Sequence, residues 1–291
     1  MTPMAQAVTL MVAAQLSTAF QNVTIRLAAD DGTHPFEIAW IRGIIGFAMV
    51  AGWILWRERR IPRPQAVAKL IAAGFAHVAA MMSFFWGVAL MPLNESTALS
   101  FAAPLFATIG AALFLGETVR ARRWIAVMIG FSGVLIVLRP GMVPFGFGTG
   151  LVLFSTVAFA AVTLLFRSLR GTDKAATIVF YQSFFFTILT TTPASTVLTT
   201  PSPFGFAMVV LVAILGTFGM VAYTRAFALA EASAILPIEF ARLPFIAIIA
   251  FLVFGERPDQ WVWLGAAVIF GSTLYIAHRE ASVARRAEAK P

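Results

Sequence analysis

Two stretches of this chain, Ala207–Gly216 and Phe245–Phe254, are apolar on every side. A helix on the surface of a soluble protein needs a polar face, so such segments belong in lipid. A bilayer core about 30 Å thick is crossed by about 20 apolar residues in helical form. Read with that window, the chain divides into ten candidate spans. They lie at about 4–27, 36–56, 67–90, 95–115, 122–138, 148–168, 175–198, 206–230, 233–254 and 259–278. Only short loops and tails remain, too little for a soluble domain. The composition agrees, with 60% of residues apolar and 12% charged, against about 25% charged in an ordinary globular chain.

The formal charge of +8 does not point to nucleic acid, because binders of that kind set their basic residues on a polar surface that this chain lacks. Zero cysteines exclude a disulfide framework, a Cys-ligated metal and a Cys nucleophile. The sequence has no G-x-x-x-x-G-K-[ST] phosphate loop, no H-E-x-x-H pair and no G-x-S-x-G elbow. No enzyme, cofactor or metal site is expected. The expected partners are a small-molecule substrate and membrane lipid, with monomer and homodimer both open.

Basic residues mark the cytoplasmic side of a membrane protein. Arg57, Arg59, Arg60, Arg63 and Lys69 flank the loop after span 2, and Arg120, Arg122 and Arg123 follow span 4. Arg167, Arg170 and Lys174 follow span 6, and Arg279, Arg285, Arg286 and Lys290 lie in the tail. With ten spans, all four regions fall on one side, which places both termini in the cytoplasm. The other side holds Arg26, Arg139 and Arg257 with Asp30, Asp31, Glu37, Glu95, Glu256 and Asp259.

Sliding the chain against itself by about 139 residues reveals an internal repeat. Gly116-Glu117 meets Gly255-Glu256, Trp124 meets Trp263, Phe101-Ala102 meets Phe240-Ala241, and Phe131 meets Phe270. The first Gly-Glu loop continues into three arginines, whereas the second continues Arg257-Pro-Asp259. Five spans per copy is an odd number, so the copies enter the membrane from opposite sides, and the charge bias reverses accordingly. Inverted repeats of this kind build many secondary transporters. The expected architecture is an all-α membrane protein of two inverted five-helix repeats, residues 1–140 and 141–291, around a central cavity.

The stretch from Trp86-Gly-Val-Ala-Leu through Pro104-Leu-Phe to Leu115-Gly-Glu117 resembles the EamA repeat of the drug/metabolite transporter superfamily. So does the second copy, from Ala226-Phe-Ala-Leu through Leu243-Pro-Phe to Phe254-Gly-Glu256, and Arg42 in Trp40-Ile-Arg-Gly is similar to the arginine of that repeat's second helix. The resemblance implies export of small metabolites across a bacterial inner membrane, and the chain looks most like the aromatic amino acid exporters. The expected substrate is therefore an amino acid, aromatic or otherwise apolar, moved by alternating access as a facilitator. The alternative is proton-coupled export of another metabolite or a drug-like compound.

Polar residues deep in a bilayer cost free energy and ask for a reason. Glu239 and Arg242 stand three apart on span 9, placed either to pair with each other or to hold a substrate's ammonium and carboxylate. A mutual pair would make Glu239 a poor proton carrier, which favours the facilitator. His77, mid-span in span 3, serves either a buried hydrogen bond or a substrate. Gln15 and Asn22 share a face of span 1, and Ser100 and Tyr223 are further candidates. Phe101 and Phe240 either line an apolar cavity or pack helices. Arg42 and Arg225 read as anchors near the membrane edges. Pro104 and Pro244 interrupt spans 4 and 9 at nearly matched positions and are candidate hinges.

Overall fold

The computed structural model describes residues 3–114, 121–140, 145–169, 172–230, 235–257 and 259–288. The Gly116-Glu117 loop, Arg120, Arg170 and Lys290 lie outside these. The helices are α1 (Pro3–Asp30), α2 (Pro35–Glu58), α3 (Val67–Leu90), α4 (Leu93–Ser100), α5 (Ala103–Phe114), α6 (Ala121–Leu138), α7 (Phe147–Leu169), α8 (Ala175–Ser195) and α9 (Pro203–Leu229). A 3₁₀ segment (Leu236–Ala241) leads into α10 (Arg242–Phe254), and α11 (Gln260–Glu288) follows.

Among the described residues, five helical stretches are long and apolar enough to cross a membrane: Pro35–Arg57, Val67–Leu90, Leu93–Phe114, Phe147–Phe166 and Pro203–Phe227. The hydropathy reading expected ten. The shortfall has physical causes. Helix α1 has the length, but it buries Gln15, Ser17, Gln21, Asn22 and Thr24, and these dilute its apolar content. Helix α10 has only 13 residues, because the ninth expected span breaks at the 3₁₀ segment. Large apolar side chains stand exposed along α2, α5, α6 and α10, among them Trp56, Phe114, Met128 and Leu252. Such a surface suits lipid tails and is unfavourable in water.

The helices fall into two compact units, each drawn from both halves of the sequence. Residues 21–91 and 146–217 form one. In it α3 packs along α7 and α8, and α2 along α8. Residues 1–20, 92–145 and 218–291 form the other, in which α6 packs along α11 and α4 touches α10. The α6–α11 contact is close because glycines meet there. A Cβ on Gly133 would stand 2.8 Å from the Gly265 carbonyl oxygen, and one on Gly265 would stand 2.6 Å from that of Gly133.

Both expected interruptions coincide with breaks in the helices. At the first, the Phe101 and Ala102 N–H groups bond the carbonyls three residues back, at 3.3 and 3.0 Å. This tightens the chain before Pro104, which has no N–H to offer an α-helical ladder. At the second, Leu236–Ala241 winds as a 3₁₀ helix immediately before α10, whose third residue is Pro244.

Helix α2 is capped by His34, whose Nδ1 accepts the Phe36 N–H at 3.2 Å, with Pro35 as its first residue and Glu37 in its first turn. The cap needs a neutral ring. Burial holds the His34 pKa below its ordinary value, while the Glu37 carboxylate pulls it back up. A pKa depressed on folding gives stability that is fully present above the unfolded value of about 6.5 and lost as the pH falls from there through the lower folded value. Thermal unfolding in detergent should therefore show His34→Asn, which caps without titrating, losing less stability than the wild type between about pH 7.5 and pH 5. Parallel profiles for the two proteins would remove the cap's role.

Candidate functional site

Each unit contains one cluster of polar side chains set among aromatic rings. In the unit of residues 21–91 and 146–217, the centre is Arg42 on α2. Its guanidinium carbon lies 5.7 Å from the Phe85 ring centroid and 5.8 Å from that of Phe186, within cation–π range of both. Its Nε is buried with no hydrogen-bond partner among the described residues. Room for this arrangement comes from Gly216 on α9. A Cβ there would stand 2.7 Å from Gln21 Nε2 and 3.1 Å from Arg42 Nη2. The expectation of Arg42 as a membrane-edge anchor is thus corrected: the side chain turns inward onto two phenyl rings instead of reaching for water.

His77 on α3 belongs to the same unit. Gln182 Nε2 and its Nδ1 are hydrogen-bonded at 3.2 Å. The imidazole meets Phe186 edge-on at 5.3 Å and Phe159 at 6.3 Å. Asn22 on α1 is buried, and its Nδ2 has no partner among the described residues. Phe186 touches both Arg42 and His77, so one ring ties the two together.

The other unit holds the second cluster. Tyr223 Oη on α9 donates to Glu239 Oε1 at 2.6 Å. Arg242 Nη2 donates to Ser100 Oγ at 3.3 Å, and its guanidinium sits 4.6 Å above the Phe101 ring. Phe101 stacks on Phe240 at 4.2 Å between centroids, and Phe240 meets Phe270 at 3.8 Å. Glu239 and Arg242 therefore turn to different partners and form no ion pair, which removes the first of the two roles expected for them. The structure places Ser100, Phe101, Tyr223, Glu239, Phe240 and Arg242 together at the two helix breaks. Gln15 stands apart, its Nε2 donating to Met11 Sδ at 3.4 Å in a buried site.

Sequence reasoning missed Arg42, Gln21 and Gln182 as members of a cluster. Gln182 carried a signal, as an amide within the apolar Phe-rich run of α8. Near one helix end of the second cluster's unit, Arg139 pairs with Asp259, and the Leu93 N–H donates to Glu256 Oε2 at 3.0 Å, capping α4. Among the described residues, no group of three His, Asp or Glu side chains is placed to hold a metal.

A membrane-length helical set with buried cation–aromatic clusters suits a carrier of small solutes. The profile of the EamA-like transporter family matches twice, at residues 5–139 and 146–277. This chain belongs to the EamA-like transporter family. The EamA-like chain is 25% identical to the S-adenosylmethionine uptake transporter of Rickettsia bellii, over 85% of both proteins. It is 32% identical to the riboflavin transporter of Vibrio cholerae, over 73% of this chain and 72% of that one. A crystal structure at 17% identity covers 98% of this chain and 99% of its own, with a TM-score of 0.63, and so shares the fold. These relatives are transporters of the drug/metabolite type. This EamA-like protein is accordingly a membrane transporter of small metabolites.

Proposed function

We propose that the protein carries a small metabolite combining a planar ring with acceptor oxygens, by alternating access and down the solute's own gradient. The observation behind this is the composition of the two clusters. Each joins a buried guanidinium to phenyl faces, and each leaves a buried Nε without a partner among the described residues. A ring stacks on the phenyl groups, and a carboxylate or carbonyl accepts from the arginine. Aromatic amino acids are small solutes of this kind. S-adenosylmethionine joins an adenine ring to an amino acid group, and riboflavin carries a carbonyl-rich tricyclic ring, so the relatives' named substrates fit the same description. One of these relatives is named for uptake, so the shared property is the chemistry of the solute and not the direction of transport.

In the same reading the chain is a ten-span protein of two inverted repeats, 1–140 and 141–291, with both termini cytoplasmic in a bacterial inner membrane. The twofold family match supports this. So does the pairing of corresponding helices from the two halves, α2 with α8, α4 with α10 and α6 with α11.

Purified protein in liposomes, given labelled phenylalanine, tryptophan, riboflavin and S-adenosylmethionine with and without a pH gradient, tests the proposal. At least one ring-bearing solute should enter, at a rate that collapse of the gradient leaves unchanged. Entry of none would sink the substrate class, and loss of transport on collapse would establish proton coupling instead. Pro104 and Pro244 are the hinges in this scheme. Pro104→Ala and Pro244→Ala release the fixed φ in the first turn of α5 and of α10, and each should slow transport. Unchanged rates in both variants would show that the breaks are static.

A further inference from the structure

We propose that the linker between α2 and α3 holds the headgroup of an anionic phospholipid. An open cavity of about 680 Å³ is lined there by Arg60, Ile61, Pro62, Arg63 and Tyr181, among the described residues. Arg60 and Arg63 are exposed. Among the described residues neither makes an ion pair or a side-chain hydrogen bond, and the cavity lining carries two guanidinium groups and no carboxylate. Paired guanidinium forks match the oxygens of a phosphate diester.

The linker is held rigid around these arginines. Arg59 caps α2 in the left-handed region, at φ 50°, with its N–H on the Leu55 carbonyl at 2.9 Å. Tyr181 Oη donates to the Pro62 carbonyl at 3.1 Å. The Asp173 carboxylate takes the N–H groups of Gln65 and Ala66 at 2.8 and 3.0 Å. Lys69 Nζ donates to the Ser168 carbonyl at 3.1 Å. All of these lie within one compact unit. The arginines therefore stand on a fixed backbone, so little ordering is left to oppose binding.

The level of the site identifies its ligand as lipid. Trp53 and Trp56 are exposed on the last turns of α2, where indole rings settle among headgroups. Arg57 lies over Trp53 at 5.7 Å. Ile61, on the cavity wall, is 63% exposed and offers an apolar surface to the start of an acyl chain. Basic pockets at this depth attract anionic headgroups.

Delipidated full-length protein in detergent is titrated with phosphatidylglycerol, phosphatidylcholine or soluble glycerol phosphate, and bound molecules are counted by native mass spectrometry. Phosphatidylglycerol should be retained over phosphatidylcholine. The exposed double variant Arg60→Gln/Arg63→Gln should weaken that retention by about tenfold or more, while Arg60→Lys/Arg63→Lys, which keeps the charge and loses the forks, weakens it by less. Equal retention by the glutamine variant, or equal binding of phosphatidylcholine, overturns the site. Glycerol phosphate binding as tightly as the lipid assigns a free phosphate ligand and overturns the lipid reading.

Discussion

Arg42→Ala should reduce transport about a hundredfold, and Arg42→Lys about tenfold, with expression and thermal stability near those of the wild type. The alanine variant removes the guanidinium that lies against Phe85 and Phe186. The lysine variant keeps a charge but loses the flat face that stacks between rings and the fork that grips a carboxylate. Gly216→Ala supplies the control. The nearest atoms its Cβ would meet belong to two flexible side chains, Gln21 at 2.7 Å and Arg42 at 3.1 Å, so the fold should tolerate it while the amide and the guanidinium are displaced. Transport should fall with the melting temperature unchanged. A proteoliposome assay alongside a melting curve reads both, and normal transport by Arg42→Ala would exclude this cluster from the substrate path.

Gly133→Ala should have the opposite profile, a loss of stability of about 1–3 kcal/mol. Here the added Cβ meets main chain: the Gly265 oxygen at 2.8 Å and the Ile269 nitrogen at 2.9 Å. Backbone has no rotamer to escape into, so α6 and α11 must separate and lose contacts along their length. Gly46→Ala gives the comparison. A Cβ on Gly46, within α2, meets nothing within 4 Å, so alanine there should stabilise by up to about 1 kcal/mol. Melting curves in detergent test both. A neutral Gly133→Ala would mean that the crossing has slack.

The helices were legible because a helix in lipid satisfies its own backbone, so length and apolarity alone mark it out. The breaks before Pro104 and Pro244 were legible for a similarly local reason, since proline's missing N–H acts on its own turn. Side-chain partners were less so. Glu239 and Arg242 are three apart, yet a 3₁₀ turn and the nearness of α9 give the carboxylate to Tyr223 instead. Nothing in residues 236–242 announces that. Arg42 sits where an outward reach and an inward turn have the same local sequence. The inward turn depends on Gly216, which lies far along the chain. Helix α1 shows the limit of hydropathy itself, because its amides are buried and count as polar all the same.

The interleaving of the two sequence halves within each compact unit bears on how the protein is made. When α3 leaves the ribosome its partner α7 does not yet exist, and α6 waits still longer for α11. At ordinary rates of translation the Gly133 face of α6 stays unmated for roughly ten seconds. Lipid or the insertion machinery must cover it meanwhile. The unit containing Arg42 is completed once residue 217 has emerged, and the other closes only after the final helix is delivered, so a ribosome stalled late would leave one unit folded and the other open.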